Sequence, residues 1–298
     1  MFFIIALSAT LAYALQGVLM AKVYRQSDPL SAVAYRGLSL LISMSPLLLL
    51  VPRSAYADFA DQTGYLVLAA SLAALGNWAN AIAFVRLPVG IASALSMAFT
   101  ALFVALLGQV FLDERLSAQQ WLMGGFTLVA VLLLGASQAR RAKHVALQAS
   151  LHYKPLVGIL ASAGYGALMS CALVLVASMS RSSHPFLVGY AWEVMIGVMA
   201  MLMAFGRGLF TVNNGFQGIS FTHFKQILIY ASPTVIGTGC YALAMTLGPL
   251  AIAAAILSTM MVFSMVLGLW LLGEKPSTKQ WLMMSLVCLS VIGLKLVA

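Results

Sequence analysis

Charged residues are absent from long stretches of this sequence. The longest stretch, residues 226–273, contains no Asp, Glu, Lys, Arg or His. A helix needs about 20 apolar residues to cross a bilayer, so this stretch can hold two helices, and Gly248-Pro249 divides it because proline cannot continue a helix. Of all 298 residues, 8% are charged and 62% are hydrophobic, which leaves too few charges to cover a water-soluble protein. We therefore expect an integral membrane protein.

The uncharged stretches predict ten transmembrane helices. We expect them at residues 3–21, 30–51, 64–85, 88–112, 120–137, 155–178, 185–206, 225–247, 249–272 and 280–297. A long connection at 207–224 mixes Asn and Gly with Phe, which suits a loop at the membrane interface. This composition excludes a soluble enzyme, a nucleic-acid-binding protein and a secreted disulfide scaffold. The net charge of +9 is better explained as setting the orientation of the chain in the membrane.

A segment of twelve residues occurs twice, at an offset of 160 residues. LDERLSAQQWLM at 112–123 and LGEKPSTKQWLM at 272–283 are identical at seven positions. In each copy a serine followed three residues later by a glutamine is typical of a capping box at a helix start, and the next tryptophan suits the aromatic belt of a membrane. On this interpretation the motif builds two helix starts, and Glu114 and Glu274 pair with neighbouring basic residues at the headgroup level.

The repeat divides the chain into two halves of five predicted spans each. We place the first half at 1–137, a basic linker at 138–154 and the second half at 155–298. Because five is an odd number, the second copy must enter the membrane in the opposite orientation. Such inverted repeats are typical of secondary transporters, whose binding sites lie near the membrane midplane between the halves.

Each half contains an L-x-E-[RK]-x-S-x-x-Q-W-L segment, and the whole chain resembles the paired EamA domains of the drug/metabolite transporter superfamily. Within that superfamily it resembles the bacterial exporters of aromatic amino acids, although the motif does not separate them from carriers of drugs, sugars or nucleotide sugars. The resemblance implies an all-α integral membrane protein with ten transmembrane helices, arranged as two inverted five-helix repeats around a central cavity. It implies a place in the inner (plasma) membrane and no catalytic centre, cofactor or metal.

Polar and aromatic side chains inside the predicted spans are the candidates for substrate binding. An amino-acid site needs apolar or aromatic walls and a few polar groups for the zwitterion, and an amide in hydrocarbon must face a cavity or another helix. Packing between helices is the alternative for these residues. Through the resemblance, Trp78 and Tyr165 correspond to aromatic positions that face the cavity. The candidates are Asn77, Trp78, Asn80, Ser96, Phe99, Thr100, Tyr165, Tyr241, Ser258 and Thr259.

Arg36 and Glu193 lie deeper in the predicted spans than any other charged residues. A charge at the centre of a membrane helix costs about 2.5–3.5 kcal/mol on insertion scales, so both are candidates for ion or proton coupling. Counting residues from the span ends puts them ~9 Å and ~12 Å deep from opposite faces, which leaves ~9 Å between them in a core of ~30 Å. We therefore expect no direct ion pair: Arg36 extends to the interface, and Glu193 faces a cavity or carries protons.

The function that we expect is secondary export of aromatic and other neutral amino acids by alternating access between the repeats. Broad-specificity efflux of drugs or metabolites by the same fold is the main alternative. A membrane-embedded enzyme and a structural or receptor-like protein are remote alternatives, since Glu193 is the one carboxylate inside the predicted spans. No GxxxxGK[ST] segment is present, so ATP is not the direct energy source. We expect amino acids and membrane lipid as partners, with no nucleic acid and no obligate protein partner.

Two arguments on orientation disagree. The odd-numbered loops carry eleven basic residues and the even-numbered face carries four, so the positive-inside rule predicts cytoplasmic odd loops and both termini outside. The resemblance implies both termini inside. The eleven are Lys22, Arg25, Arg86, Arg140, Arg141, Lys143, Lys154, Arg207, Lys225, Lys275 and Lys279, and the four are Arg53, Arg115, Arg181 and Lys295.

Overall fold

The computed structural model describes residues 1–113, 154–210 and 215–273 without interruption, together with isolated positions at 117–133 and 278–289. In the uninterrupted ranges the secondary structure is helical. The helices are α1 (Phe2–Gln26), α2 (Pro29–Ser43), α3 (Ser54–Ala60), α4 (Thr63–Arg86), α5 (Val89–Phe111), α6 (Pro155–Ser182), α7 (Pro185–Phe210), α8 (Phe221–Ala231), α9 (Pro233–Leu247), α10 (Leu250–Ser258) and α11 (Met260–Leu272), with a 3-10 helix at Ser45–Leu50.

Seven helical stretches in the described part of the chain are long and apolar enough to cross a membrane. They are α1, α4, α5, α6, α7, the pair α8–α9 and the pair α10–α11. Most positions of the predicted spans at 120–137 and 280–297, residues 138–153 of the linker, and Glu114 and Glu274 lie outside the described residues.

The second predicted span, 30–51, is not one continuous α-helix. The α-helix ends at Ser43, and a 3-10 helix follows. Pro46 lacks the amide hydrogen that would continue the α-helical ladder, and the Ser45 hydroxyl donates to the carbonyl of Ile42, 2.8 Å away. The hydropathy of this stretch is continuous across the break, which is why composition alone did not reveal it.

Helix starts follow the local sequence closely. Asp28 caps α2 by accepting the Ser31 amide at 2.8 Å, and Ser220 caps α8 by accepting the His223 amide at 3.2 Å. Proline stands in the first turn of α2, α6 and α9, where its missing N–H costs nothing. The backbone is extended at Leu87 and at Gly248, directly before Pro88 and Pro249. These residues form the two tight hairpins that the sequence predicts.

Helices of the two halves interlock. The main pairs are α4 with α6, α5 with α6, α2 with α7, and α1 with α9. In the two halves the first predicted span (α1) corresponds to the sixth (α6), and the third (α4) corresponds to the eighth (α8–α9). The contact of α4 with α6 therefore has its counterpart in the contact of α9 with α1. The contact pattern thus agrees with duplicated halves, while their opposite orientation in the membrane stays a prediction.

One hydrogen bond occurs in the same place in both halves. Arg25, in the last turn of α1, donates from Nε to the carbonyl of Phe84 near the end of α4, at 3.2 Å. Arg181, in the last turn of α6, donates from Nε to the carbonyl of Met245 near the end of α9, at 3.1 Å. Carbonyls at a helix end lack partners inside the helix, so each arginine ties two helix ends of its own half together.

Helices α2 and α7 cross at a pair of glycines. A Cβ atom built on Gly197 would lie 2.7 Å from the Cα of Gly37 and 2.9 Å from the amide nitrogen of Leu38. Such contacts are closer than a methyl group allows, so both glycines are needed for the backbones to approach this closely. The crossing joins the two halves at one point and fixes how near Arg36 lies to Glu193.

Replacing Gly197 with alanine is predicted to destabilise the protein by about 1–3 kcal/mol, because the added methyl group overpacks the α2–α7 crossing. The measurement is the thermal unfolding midpoint of the detergent-purified protein. Gly206→Ala, in the same helix, is the matched control, since a Cβ there meets no atom within 4 Å. An alanine at 197 that unfolds at or above the temperature of the Gly206→Ala protein contradicts this account of the crossing.

Candidate functional site

A cavity lies at the centre of the bundle, with walls from helices of both halves. Its volume is about 80 Å³, which is room for several water molecules or a small solute. The polar and aromatic lining consists of Tyr13, Gln16, Tyr24, Arg36, Asn77, Asn80, Phe84, Tyr165, Trp192, Glu193 and Tyr241. The aliphatic lining consists of Met97, Met169, Leu173, Ile196, Leu257 and Met260.

A buried ion pair stands in the wall of this cavity. Arg36 Nη1 lies 3.1 Å from Glu193 Oε2, with side chains that are 5% and 3% exposed. The expectation that the two charges are too far apart to pair is therefore wrong. Counting depth along straight spans ignored the crossing at Gly37 and Gly197, which brings α2 and α7 together, and the reach of the arginine side chain. A charge pair that is buried to this extent is tolerable because each charge compensates the other.

A chain of hydrogen bonds extends the pair across the cavity wall. The Thr238 hydroxyl donates to Glu193 Oε1 at 2.6 Å, and it lies 2.7 Å from the Tyr13 hydroxyl. A threonine hydroxyl has one hydrogen, so Tyr13 donates to Thr238, and Thr238 donates to the carboxylate. Tyr13 also meets Tyr241 edge to face, with ring centroids 6.4 Å apart. Helices α1, α7 and α9 thus hold one oxygen of Glu193 in a fixed position.

Six of the sequence-predicted residues meet at the cavity: Asn77, Asn80, Tyr165, Tyr241, Arg36 and Glu193. Ser96 stands behind this wall and donates to Asn80 Oδ1 at 3.0 Å, which orients that amide. The amide of Asn77 donates to the carbonyl of Ala73 at 2.9 Å. The amides of Asn77 and Asn80, which were predicted to face a cavity or another helix, both line the cavity. The Asn80 amide is also held by the Ser96 side chain.

The other predicted residues lie away from the cavity lining. Trp78 lines an outer apolar groove between α4 and α6, and Phe99 packs against Gly166, where no Cβ would fit. The hydroxyls of Thr100, Ser258 and Thr259 donate to carbonyls one turn earlier in their own helices, at 2.8, 2.6 and 2.7 Å. These five residues shape helices and helix contacts around the cavity.

Sequence reasoning did not select several residues that line or support the cavity, among them Tyr13, Gln16, Tyr24, Trp192 and Thr238. Signals for some of them existed. Gln16 is a buried amide in an apolar helix, and Trp192 is adjacent to the one charged residue within its span. Nothing local marks Thr238, because its partners lie on α1 and α7. Within the described residues, no group of three or more His, Cys, Asp and Glu side chains is placed to hold a metal ion.

A second ion pair joins α2 and α7 outside the cavity. Arg207 Nη2 lies 2.8 Å from Asp28 Oδ2, and the Ser31 amide and hydroxyl each donate to the same oxygen at 2.8 Å. The Ser31 hydroxyl oxygen in turn accepts the Gln217 amide at 3.0 Å, which fixes the segment before α8. Burial acts to raise the pKa of Asp28, but the hydrogen bonds from Arg207 and Ser31 outweigh it and hold that pKa below its usual value.

Comparison with known proteins gives matches to a protein family and to solved structures. The model of the EamA-like transporter family matches residues 1–136 and 156–296. No curated protein matches the chain. A solved structure described as "Crystal structure of protein" is 14% identical and superposes with a TM-score of 0.64 over 98% of this chain and 96% of that one. At this identity the likeness to the solved structure concerns the fold alone.

Replacing Thr238 with valine is predicted to destabilise the protein by about 1–3 kcal/mol, because Glu193 and Tyr13 lose a buried hydrogen-bond partner. The control is Thr234→Val, one turn earlier in α9. Thr234 is equally buried, and its hydroxyl has no hydrogen-bond partner among the described residues, so its loss is neutral or stabilising. Thermal unfolding of both variants is the measurement. Equal midpoints for the two variants count against the hydrogen-bond chain.

The Asp28–Arg207 pair is predicted to make stability depend on pH in the acidic range. Because the pKa of Asp28 is lowered in the folded protein, the pair stabilises the fold above the unfolded-state pKa of about 4, and this contribution is lost as the pH falls through the folded pKa. Asp28→Asn therefore lowers the unfolding midpoint at neutral pH, and this deficit shrinks as the pH is lowered below about 4. Asp58→Asn, at an exposed position, is the control. A deficit of Asp28→Asn that persists unchanged in acid contradicts the assignment.

Proposed function

Because the chain belongs to the EamA-like transporter family over both of its halves, we propose that it is a secondary carrier that exports aromatic and other neutral amino acids across the inner membrane. Members of this family are membrane transporters of the drug/metabolite type and not enzymes, and the seven apolar helices agree with a multi-pass membrane protein. The substrate, the direction of transport and the membrane are parts of the proposal.

The observation that carries the proposal is the central cavity. It combines aromatic and thioether walls with a few buried polar groups, which is the composition of a site for a small, partly apolar metabolite. The two charges in its wall have opposite signs and lie side by side. An amino acid carries the same two charges on one carbon atom and an apolar side chain beside them.

The arrangement of the halves supports transport by alternating access. The cavity wall includes α1, α2, α4 and α5 from the first half and α6, α7, α9, α10 and α11 from the second. In each half an arginine ties two helix ends together, and the main helix contacts between the halves enclose the cavity. Inverted repeats exchange conformations about such a shared site and open it to one side and then the other.

The proposal predicts amino-acid exchange by the purified protein in liposomes. Vesicles loaded with unlabelled phenylalanine should accumulate radiolabelled phenylalanine from outside, with no ATP present, because each outward movement of substrate allows one inward movement. Protein-free liposomes and vesicles loaded with glucose are the controls.

Competition distinguishes the proposed substrate from the broader alternative. Unlabelled tryptophan and leucine should inhibit the accumulation, and a cationic dye should not. Failure of every neutral amino acid to exchange, together with transport of the dye, contradicts amino-acid export and favours broad-specificity efflux.

A further inference from the structure

Arg36 and Glu193 form a pair of charges inside the cavity, and its surroundings select one class of ligand. We propose that Arg36 binds the carboxylate of a free α-amino acid and Glu193 binds its ammonium group, so that the carrier recognises the intact zwitterion. This inference rests on the proposed function and assigns the substrate groups and the residues that bind them.

The guanidinium of Arg36 has hydrogen-bond donors that no acceptor among the described residues satisfies. Arg36 is 4% exposed, yet within the described residues neither Nε nor Nη1 has a hydrogen-bond partner of good geometry, although Nη1 lies 3.1 Å from Glu193 Oε2. Buried donors are nearly always satisfied, so an unsatisfied one requires an explanation. A carboxylate accepts parallel hydrogen bonds from a guanidinium fork. The carboxylate of a ligand in the cavity therefore supplies what these donors lack.

Glu193 is held so that one oxygen remains available. Oε1 accepts the Thr238 hydroxyl at 2.6 Å, and this bond fixes the orientation of the carboxylate. Oε2 has no hydrogen bond among the described residues beyond its ion pair with Arg36. An ammonium group has three donors, and one of them reaches Oε2 without displacing Thr238. A proton on Glu193 would instead leave the buried Arg36 without a counter-charge, which favours ligand binding over proton carriage.

The balance of charge excludes ligands that carry only one of the two groups. Arg36 and Glu193 together have no net charge, and neither has a zwitterion, so the cavity stays neutral whether it is empty or occupied. An amine or a carboxylic acid alone would add one uncompensated charge in a place where desolvation is expensive. Methionines 97, 169 and 260 line the apolar remainder of the cavity, and their flexible side chains adapt to side chains of different shape.

The first test uses the unmodified protein in detergent and measures equilibrium binding of radiolabelled phenylalanine. The competitors are phenylalanine itself, phenethylamine, which has the ammonium group alone, and 3-phenylpropionate, which has the carboxylate alone. Each half-ligand should compete about 100-fold more weakly or worse, because it leaves one buried charge unpaired. A half-ligand that competes within about tenfold of phenylalanine overturns the inference.

The second test compares two double variants that each remove one ion pair between α2 and α7. Arg36→Gln with Glu193→Gln keeps the cavity neutral and should weaken phenylalanine binding by about 100-fold. Asp28→Asn with Arg207→Gln removes the pair outside the cavity and should leave binding within about threefold of the unmodified protein. Equal losses in the two variants overturn the inference. If the first variant does not elute as a monodisperse peak, the competition with half-ligands decides.

Failure of this inference differs from failure of the proposed function. If phenylalanine exchanges in liposomes and the half-ligands compete as well as phenylalanine, the role of the ion pair is wrong and amino-acid export stands. If no neutral amino acid binds or exchanges, both proposals are wrong.

Discussion

A buried arginine and a buried glutamate can share the interior of this bundle because two glycines let their helices touch. Gly37 follows Arg36 directly, and Gly197 lies one turn after Glu193, so the point of closest backbone approach is also the point where the charges meet. Each charge alone would be costly at that depth. The contact of Arg36 with Glu193, and with it the position of the carboxylate that accepts the Thr238 hydroxyl, depends on this crossing.

Much of the helical framework was predictable, because a membrane helix must satisfy its backbone within itself and present apolar side chains over about 20 residues. The predicted spans at 64–85 and 88–112 agree with α4 and α5 to within two residues. Interruptions inside an apolar stretch were not predictable from hydropathy. The breaks after Ser43, at Ser232 and at Thr259 change hydrogen bonding without changing polarity.

The residue types of the candidate site were predictable from the sequence, but the directions in which their side chains point were not. Asn77 faces the cavity and Trp78 lines the outer groove, because adjacent residues in an α-helix point about 100° apart. A single sequence does not say which of the two faces inward. The bond between Tyr13 and Thr238 joins residues 225 positions apart, and it arises from helix packing that no local pattern encodes. The ion pair was missed because depth was counted without helix crossing.

The halves differ in how their corresponding helices are built. In the first half α4 and α5 are each continuous, whereas in the second half the corresponding stretches are divided at Ser232 and at Thr259. The reverse holds for α2, which gives way to a 3-10 helix after Ser43 while its counterpart α7 is continuous, so the two halves are interrupted at different places. In a carrier that works by the proposed exchange of conformations, unequal halves would give the two end states different free energies, so the unloaded carrier would rest facing one side. The half-saturation concentrations of a solute on the two faces would then differ, although a passive carrier leaves the final gradient unchanged.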